Sequence, residues 1–340
     1  MISLFKSNNP VVVIFYGLYL VLFRICFLLL DTTVSSVFNH TEPLSQIAFS
    51  FLKNISSNYL LLSLTLAALL TFVQALLING LVNKNKVLPR KNYLPGAVYI
   101  IFVSFFKESL LLTPALLALT FLILATDRLF SLIKKEKSYG AIYDVGFLTC
   151  ISSLFYFPAI LFFLFAFFGL ATVRPFSLRE WMGSLLGYLS PLFVIFTYYV
   201  WIDEAGVLGL HLSNTVNSAV ATGIIKPNLF TWYLVGCLVA VIAAFLLFLP
   251  SALYSSLIQV RKFTGILLFS IFVIAISGLL DWYLHGHTDL SHFSLLAMPA
   301  GIIASMVFVQ IKRKAISEVI HIILVLLVLT MQYLPLFNLL

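Results

Sequence analysis

VVVIFYGLYLVLFRICFLLL, residues 11–30, is an apolar and aromatic run interrupted by one charge, Arg24. A helix crossing a hydrocarbon core of about 30 Å needs about 20 residues of this kind. Arginine at the middle of such a helix costs at least ~2.5 kcal/mol, so it must face other protein rather than lipid. The run is therefore expected to be one helix of a bundle.

The rest of the chain supplies that bundle. Of the 340 residues, 62% are hydrophobic and only 9% charged, and the mean hydropathy is +1.10. Soluble domains carry about 25% charged residues, so this chain could not cover a water-facing surface. Polar clusters cut it into eleven apolar segments, near 11–30, 58–78, 94–106, 109–127, 140–156, 158–173, 182–202, 229–250, 263–281, 293–311 and 317–334. The expected fold is an all-α polytopic membrane bundle of about eleven transmembrane helices, without a soluble domain. Segments 94–106, 140–156 and 158–173 are short for a full crossing and suit tilted or hairpin helices buried by neighbours. Lys6 precedes the first run without a small-residue cleavage site, which predicts a retained span rather than a removed leader.

Charge fixes the expected orientation. With the N-terminus cytoplasmic, sixteen of the 20 Lys and Arg fall in cytoplasmic loops, and only Lys53, Lys107 and Lys226 fall outside. This is the positive-inside pattern. It assigns the net charge of +8 to topology and anionic lipid rather than to nucleic acid, and it leaves the C-terminus extracytoplasmic. Asp31, Glu42, Glu108, Asp203, Glu204, Asp281 and Asp289 gather on the outer side with five of the six histidines. Any active site is expected there. Cys26, Cys150 and Cys237 lie singly in apolar runs and form no disulfide or zinc pattern. Phosphate-loop, HExxH and GxSxG motifs are absent from the sequence.

Several residues are candidates for chemistry. Arg24 suits the phosphate of a lipid-linked donor, because a guanidinium can hold two phosphate oxygens at once; alternatively it is a structural arginine satisfied by protein. Asp31 follows seven residues later on the same face, about 10 Å further outward. Glu108, in Lys107-Glu108-Ser109, could act as a general acid or base, or simply pair with Lys107 at a loop tip. Asp281-x3-His285-Gly-His287-x-Asp289-x2-His292 is the densest set of metal-ligand types and would suit Zn2+ or Mn2+, or else be a solvated loop. Residues 43–53 carry Leu44, Ile47, Ala48, Phe51 and Leu52 at helical spacing, as a helix lying on the outer interface would. Gly183-Ser-Leu-Leu-Gly187 marks a close approach of two helix backbones.

Arg24, Glu42-Pro-Leu-Ser45, Asn92-Tyr-Leu-Pro95, Thr113-Pro-Ala115, Ser153-Leu-Phe-Tyr-Phe-Pro158 and Arg174-Pro-Phe-Ser-Leu-Arg-Glu-Trp181 resemble an uncharacterised multi-pass membrane family of Bacteroidota. That resemblance implies inner-membrane location and no particular activity. Residues 105–175 resemble the helical module of the GT-C membrane glycosyltransferases. A Pro-containing helix there ends in the basic stretch Arg128 to Lys137, a Gly-led helix Gly146-Phe-Leu-Thr-Cys-Ile-Ser-Ser153 follows, and Pro158 opens its partner. This likeness implies a GT-C-like module over 1–180, with further transmembrane helices over 181–340. It also implies a catalytic acid in the first outer loop, at Asp31 or Glu42, and a polyprenyl-phosphate-linked sugar as substrate. The chain departs from the pattern in lacking a C-terminal periplasmic domain and a paired acidic motif. No organic cofactor is expected, and a divalent metal would fall to the histidine cluster. A transporter or flippase for a lipid-linked or anionic solute is the alternative expectation, and a non-catalytic subunit docking in an envelope complex is a third.

Overall fold

A computed structural model of the chain describes residues 2–29, 42–55, 59–133, 138–175, 177–203, 206, 229–254, 256–285 and 290–333. All regular structure among the described residues is helical. In chain order the helices are α1 (Ile2–Phe5), α2 (Val13–Leu29), α3 (Pro43–Ile55), α4 (Tyr59–Lys84), α5 (Leu94–Val103), α6 (Pro114–Ser131) and α7 (Tyr139–Phe155). They continue with α8 (Phe162–Val173), α9 (Leu178–Trp201), α10 (Leu229–Leu253), α11 (Ile258–His285), α12 (Ala297–Gln310) and α13 (Lys314–Tyr333). Seven helical stretches of the described chain are long and apolar enough to cross a membrane: Leu60–Lys84, Pro114–Ser131, Leu178–Trp201, Tyr233–Leu253, Ile258–Leu279, Leu290–Gln310 and Lys314–Tyr333. The shorter apolar helices are Pro10–Ile25, Leu94–Val103, Tyr139–Phe155 and Phe157–Val173.

Local chemistry sets several boundaries. The apolar segment beginning at residue 109 does not start as an α-helix. A 3-10 turn, Glu108–Leu110, comes first, and α6 begins only where Thr113 accepts a hydrogen bond from Leu116 N–H with Pro114 in the first turn. That pairing of a capping threonine with proline favours a helix start. In the same way Pro158 lies in the 3-10 turn Phe157–Leu161 that leads into α8.

Helix α5 explains why a short segment suffices. All ten of its residues are buried, so it has no lipid-facing side and needs no full crossing. Glycines let its neighbours approach. A Cβ at Gly96 would meet Ala75 O at 2.8 Å, and one at Gly301 of α12 would meet Tyr99 Cα at 3.1 Å. Outer helices show the reverse pattern, with large apolar side chains turned outward, such as Leu247 of α10 at 80% exposure. One apolar core runs from Ile2 to Met331 and draws on helices from both sides of residue 180.

Contacts sort the turns onto two ends. At one end Lys84 pairs with Asp127 at 2.7 Å, Arg128 with Asp144 at 3.5 Å, and the Arg179 guanidinium lies 4.5 Å from the centre of the Tyr139 ring. Gln310 also donates there to Ala252 O at 2.8 Å. We refer to this as the basic end. At the other end Gln332 donates to Ser104 O at 2.6 Å, and Leu112 N–H donates to Ser63 Oγ at 3.0 Å. Among the described residues, Lys53 and Lys107 belong to this second end.

The 43–53 segment is a helix, as its spacing requires, but its apolar stripe is divided. Phe49 packs into the core and Leu44 lies against Cys150 and Tyr188, whereas Ile47 and Phe51 are exposed. Helix α3 is therefore seated on α7 with one edge outward, rather than resting free at the interface.

Candidate functional site

Helix α2 directs Tyr16, Tyr19, Leu20, Phe23 and Arg24 inward, while Ile14, Leu18 and Val21 remain exposed. This is the stripe that a 3.6-residue period produces. Arg24 is only 4% exposed. Its Nη2 donates to Thr71 Oγ1 at 3.2 Å, and Thr71 in turn donates to Ala67 O at 2.6 Å. Neither Nε nor Nη1 has a hydrogen-bonding partner among the described residues.

The polar neighbours are already satisfied by one another. Gln74 donates to Leu116 O and to Thr120 Oγ1, both at 2.8 Å, and accepts from the Tyr99 hydroxyl at 2.5 Å. Tyr99 lies within electrostatic reach of Arg24. Helices α2, α4, α5 and α6 thus enclose a polar centre in which the amide and hydroxyls are matched and the cation is not. A guanidinium carries five N–H donors and no acceptor. The species that completes it must supply lone pairs, and a negative charge would offset the desolvation cost.

The acids expected to work with Arg24 are spread more widely. Asp31 lies outside the described residues. Glu42 sits where α3 begins, next to Leu44 on α7 and α9, and accepts from Ser45 Oγ at 3.1 Å. Glu108 opens the half-buried 3-10 turn between α5 and α6. That turn packs on a second 3-10 turn, Leu290–Leu296, where the Phe106 and Phe293 ring centroids are 5.5 Å apart. Glu42, at the start of α3, and Glu108, in the turn between α5 and α6, thus belong to elements other than the α2 and α4 that carry Arg24 and Thr71.

The proposed metal ligands separate as well. His287 and Asp289 lie outside the described residues, as do the side chains of Asp281 and His285. His292 is 1% exposed and faces the interior, not a solvated loop. Its Nδ1 lies 2.9 Å from the Tyr156 hydroxyl and its Nε2 lies 3.0 Å from Ile274 O. A carbonyl only accepts, so Nε2 carries the proton and Nδ1 accepts from Tyr156. Both ring nitrogens are engaged, and a metal would have to displace one of these bonds. No group of three or more potential ligands converges among the described residues.

Thr71, Gln74 and Tyr99 near Arg24, and the buried His321, are further candidates that pattern reading missed. His321 of α13 is buried, with Nε2 2.7 Å from the Tyr19 hydroxyl and Nδ1 unpartnered among the described residues. The available signal was the rule that an ionisable side chain within an apolar span is functional by default. Compared with protein families, curated proteins and solved structures, the chain matches none.

Proposed function

We propose that this chain is a multi-pass protein of a bacterial inner membrane that takes the phosphate of a polyprenyl-phosphate-linked sugar at Arg24. In this proposal it transfers the sugar at the extracytoplasmic face, in the manner of the GT-C glycosyltransferases. The observation that carries the proposal is the buried Arg24 guanidinium, whose Nε and Nη1 have no partner among the described residues beside a matched amide and hydroxyl network. A lipid phosphate brings negative charge and several acceptors to that depth while its polyprenyl tail stays in hydrocarbon. The concentration of Lys and Arg at one end supports a cytoplasmic placement of that end, with the chemistry opposite. Asp31, two helical turns beyond Arg24, would take the acceptor hydroxyl proton as the sugar–phosphate bond breaks, with Glu42 and Glu108 as the other candidate acids. The order of α6, the Gly146 helix α7 and the Pro158 turn is in keeping with the GT-C likeness.

One observation favours a second reading, translocation of the same substrate. Arg24 is buried within α2, about 16 Å along the helix from Val13 and about 8 Å short of Leu29, rather than in a loop beyond it. Proteoliposomes loaded with a polyprenyl-phosphate sugar separate the two. A glycosylated acceptor marks the transferase, and movement of the lipid between leaflets without product marks the translocator. Arg24→Met should abolish either activity in folded protein. Full activity in that variant would remove the basis of both.

A further inference from the structure

A groove of about 440 Å3 opens on the outer surface of the bundle between α10 and α13, floored by α12. One wall runs from Val241 to Ser251, the other from Ile316 to Leu324, and Val307 lies at the base. The lining is apolar apart from Ser251 and Gln310. Ten residues of helix rise about 15 Å, which is half of a hydrocarbon core of about 30 Å. The groove is therefore as deep as one leaflet.

Its polar end has a chemistry of its own. Gln310, which binds Ala252 O, and Ile311 close the groove at the basic end. The next two residues, Lys312 and Arg313, are exposed in the turn between α12 and α13, and Lys314, also exposed, opens α13. Lys314 and Glu318, four residues apart, share a side of α13 turned away from the groove-lining Ile316, so the cations at the groove end are Lys312 and Arg313. An apolar channel one leaflet deep thus finishes at two exposed cations, Lys312 and Arg313.

We infer that this groove is a binding site for one anionic phospholipid of the basic-end leaflet. An acyl chain lies between α10 and α13, and the headgroup phosphate rests on Lys312 and Arg313. Arginine can hold two phosphate oxygens at once, and basic clusters beside transmembrane helices recognise anionic headgroups. The site is independent of Arg24, which lies on α2, and of any activity assigned there.

Native mass spectrometry of the purified full-length chain, titrated with phosphatidylglycerol or with phosphatidylcholine of identical chains, tests this site. One saturable phosphatidylglycerol should bind, with phosphatidylcholine at least about tenfold weaker, the order expected from a headgroup held by two surface cations. The double variant K312Q/R313Q should lose that preference. Ala244→Trp, which fills the groove from an exposed position and leaves every cation in place, should lose the bound lipid. Both variants should elute as the parent does in size exclusion. Equal binding of the two lipids would overturn the inference. So would undiminished phosphatidylglycerol binding by a folded Ala244→Trp chain, since the cations alone would then account for it.

Discussion

Two interfaces hold this bundle together by opposite means. Between α7 and α9 the backbones touch: a Cβ at Gly146 would strike Ser184 O, and one at Gly187 would strike Tyr143 O. The polar additions are modest, such as Tyr143 donating to Ser190 Oγ at 2.7 Å. Between α2, α4 and α5 an arginine, a glutamine, a threonine and a tyrosine occupy the contact instead. The first interface shows that these helices pack without buried charge. The second therefore retains Arg24 at a cost that packing does not require, which is the pattern of a functional site.

The largest effect should come from the glycine interface. Gly187→Leu sets a side chain against a backbone carbonyl, which cannot swing aside as a flexible side chain can. Overpacking costs about 1–3 kcal/mol and more where nothing yields, so the variant should lose most of its monodisperse fraction in detergent. Gly183→Leu is the internal control. Its Cβ would meet only Ile142 Cγ2, at 3.8 Å, an ordinary contact. The two glycines of the GxxxG motif are equivalent in sequence, yet the close approach pairs Gly187 with Gly146, not with Gly183. Equal losses in both variants, read by fluorescence-detected size exclusion, would break that assignment.

The polar interface should respond differently. Arg24→Met removes a buried cation whose single described hydrogen-bond partner, Thr71, keeps its own bond to Ala67 O. Replacing buried ionic groups by apolar ones of similar volume is often neutral or stabilising by 1–4 kcal/mol. The melting temperature in detergent should therefore hold or rise while binding of a lipid phosphate is lost. A large fall in melting temperature would show that Arg24 is paired within the protein, and would erase the contrast between the interfaces. Gln74→Leu should be milder in mechanism but clearly destabilising, by about 1–3 kcal/mol, because the Tyr99 hydroxyl loses its acceptor in a buried site. Adding Tyr99→Phe should recover part of that loss. No recovery would mean that Gln74 acts through α6 alone.

The contrast also explains what sequence could reveal. Each long apolar segment announced its helix, because a stretch of about 20 apolar residues bounded by charge and proline has few other outcomes. The 109–127 boundary failed because Thr113 and Pro114 fix the helix start from inside an otherwise apolar run. Arg24 was legible as a buried charge, yet Thr71, Gln74 and Tyr99 were not. They are lone polar residues whose relation to Arg24 exists only after helices distant in sequence pack. His292 was misplaced because it closes the polar run from Asp281, which reads as a solvated loop, whereas it is buried in a 3-10 turn. Asp31, His287 and Asp289 lie outside the described residues, so the first outer acid and the histidine cluster stand as sequence expectations.

The smallest effects should come from the ion pairs at the basic end, and they can be ranked by exposure. Lys84 and Asp127 are 2.7 Å apart with side chains 59% and 25% exposed, whereas Arg174 and Glu180 are 2.5 Å apart at 11% and 16%. Exposed pairs contribute about 0–1 kcal/mol and are screened by salt. Less exposed pairs lose more when one partner is removed, because the remaining charge stays partly desolvated. Lys84→Gln should therefore shift the melting temperature hardly at all, and raising the salt concentration should erase what difference there is. Arg174→Gln should cost measurably more and keep its cost in high salt. If Lys84→Gln proves the more damaging of the two, solvent screening does not govern this end, and its cations would have to be treated as interior groups like Arg24.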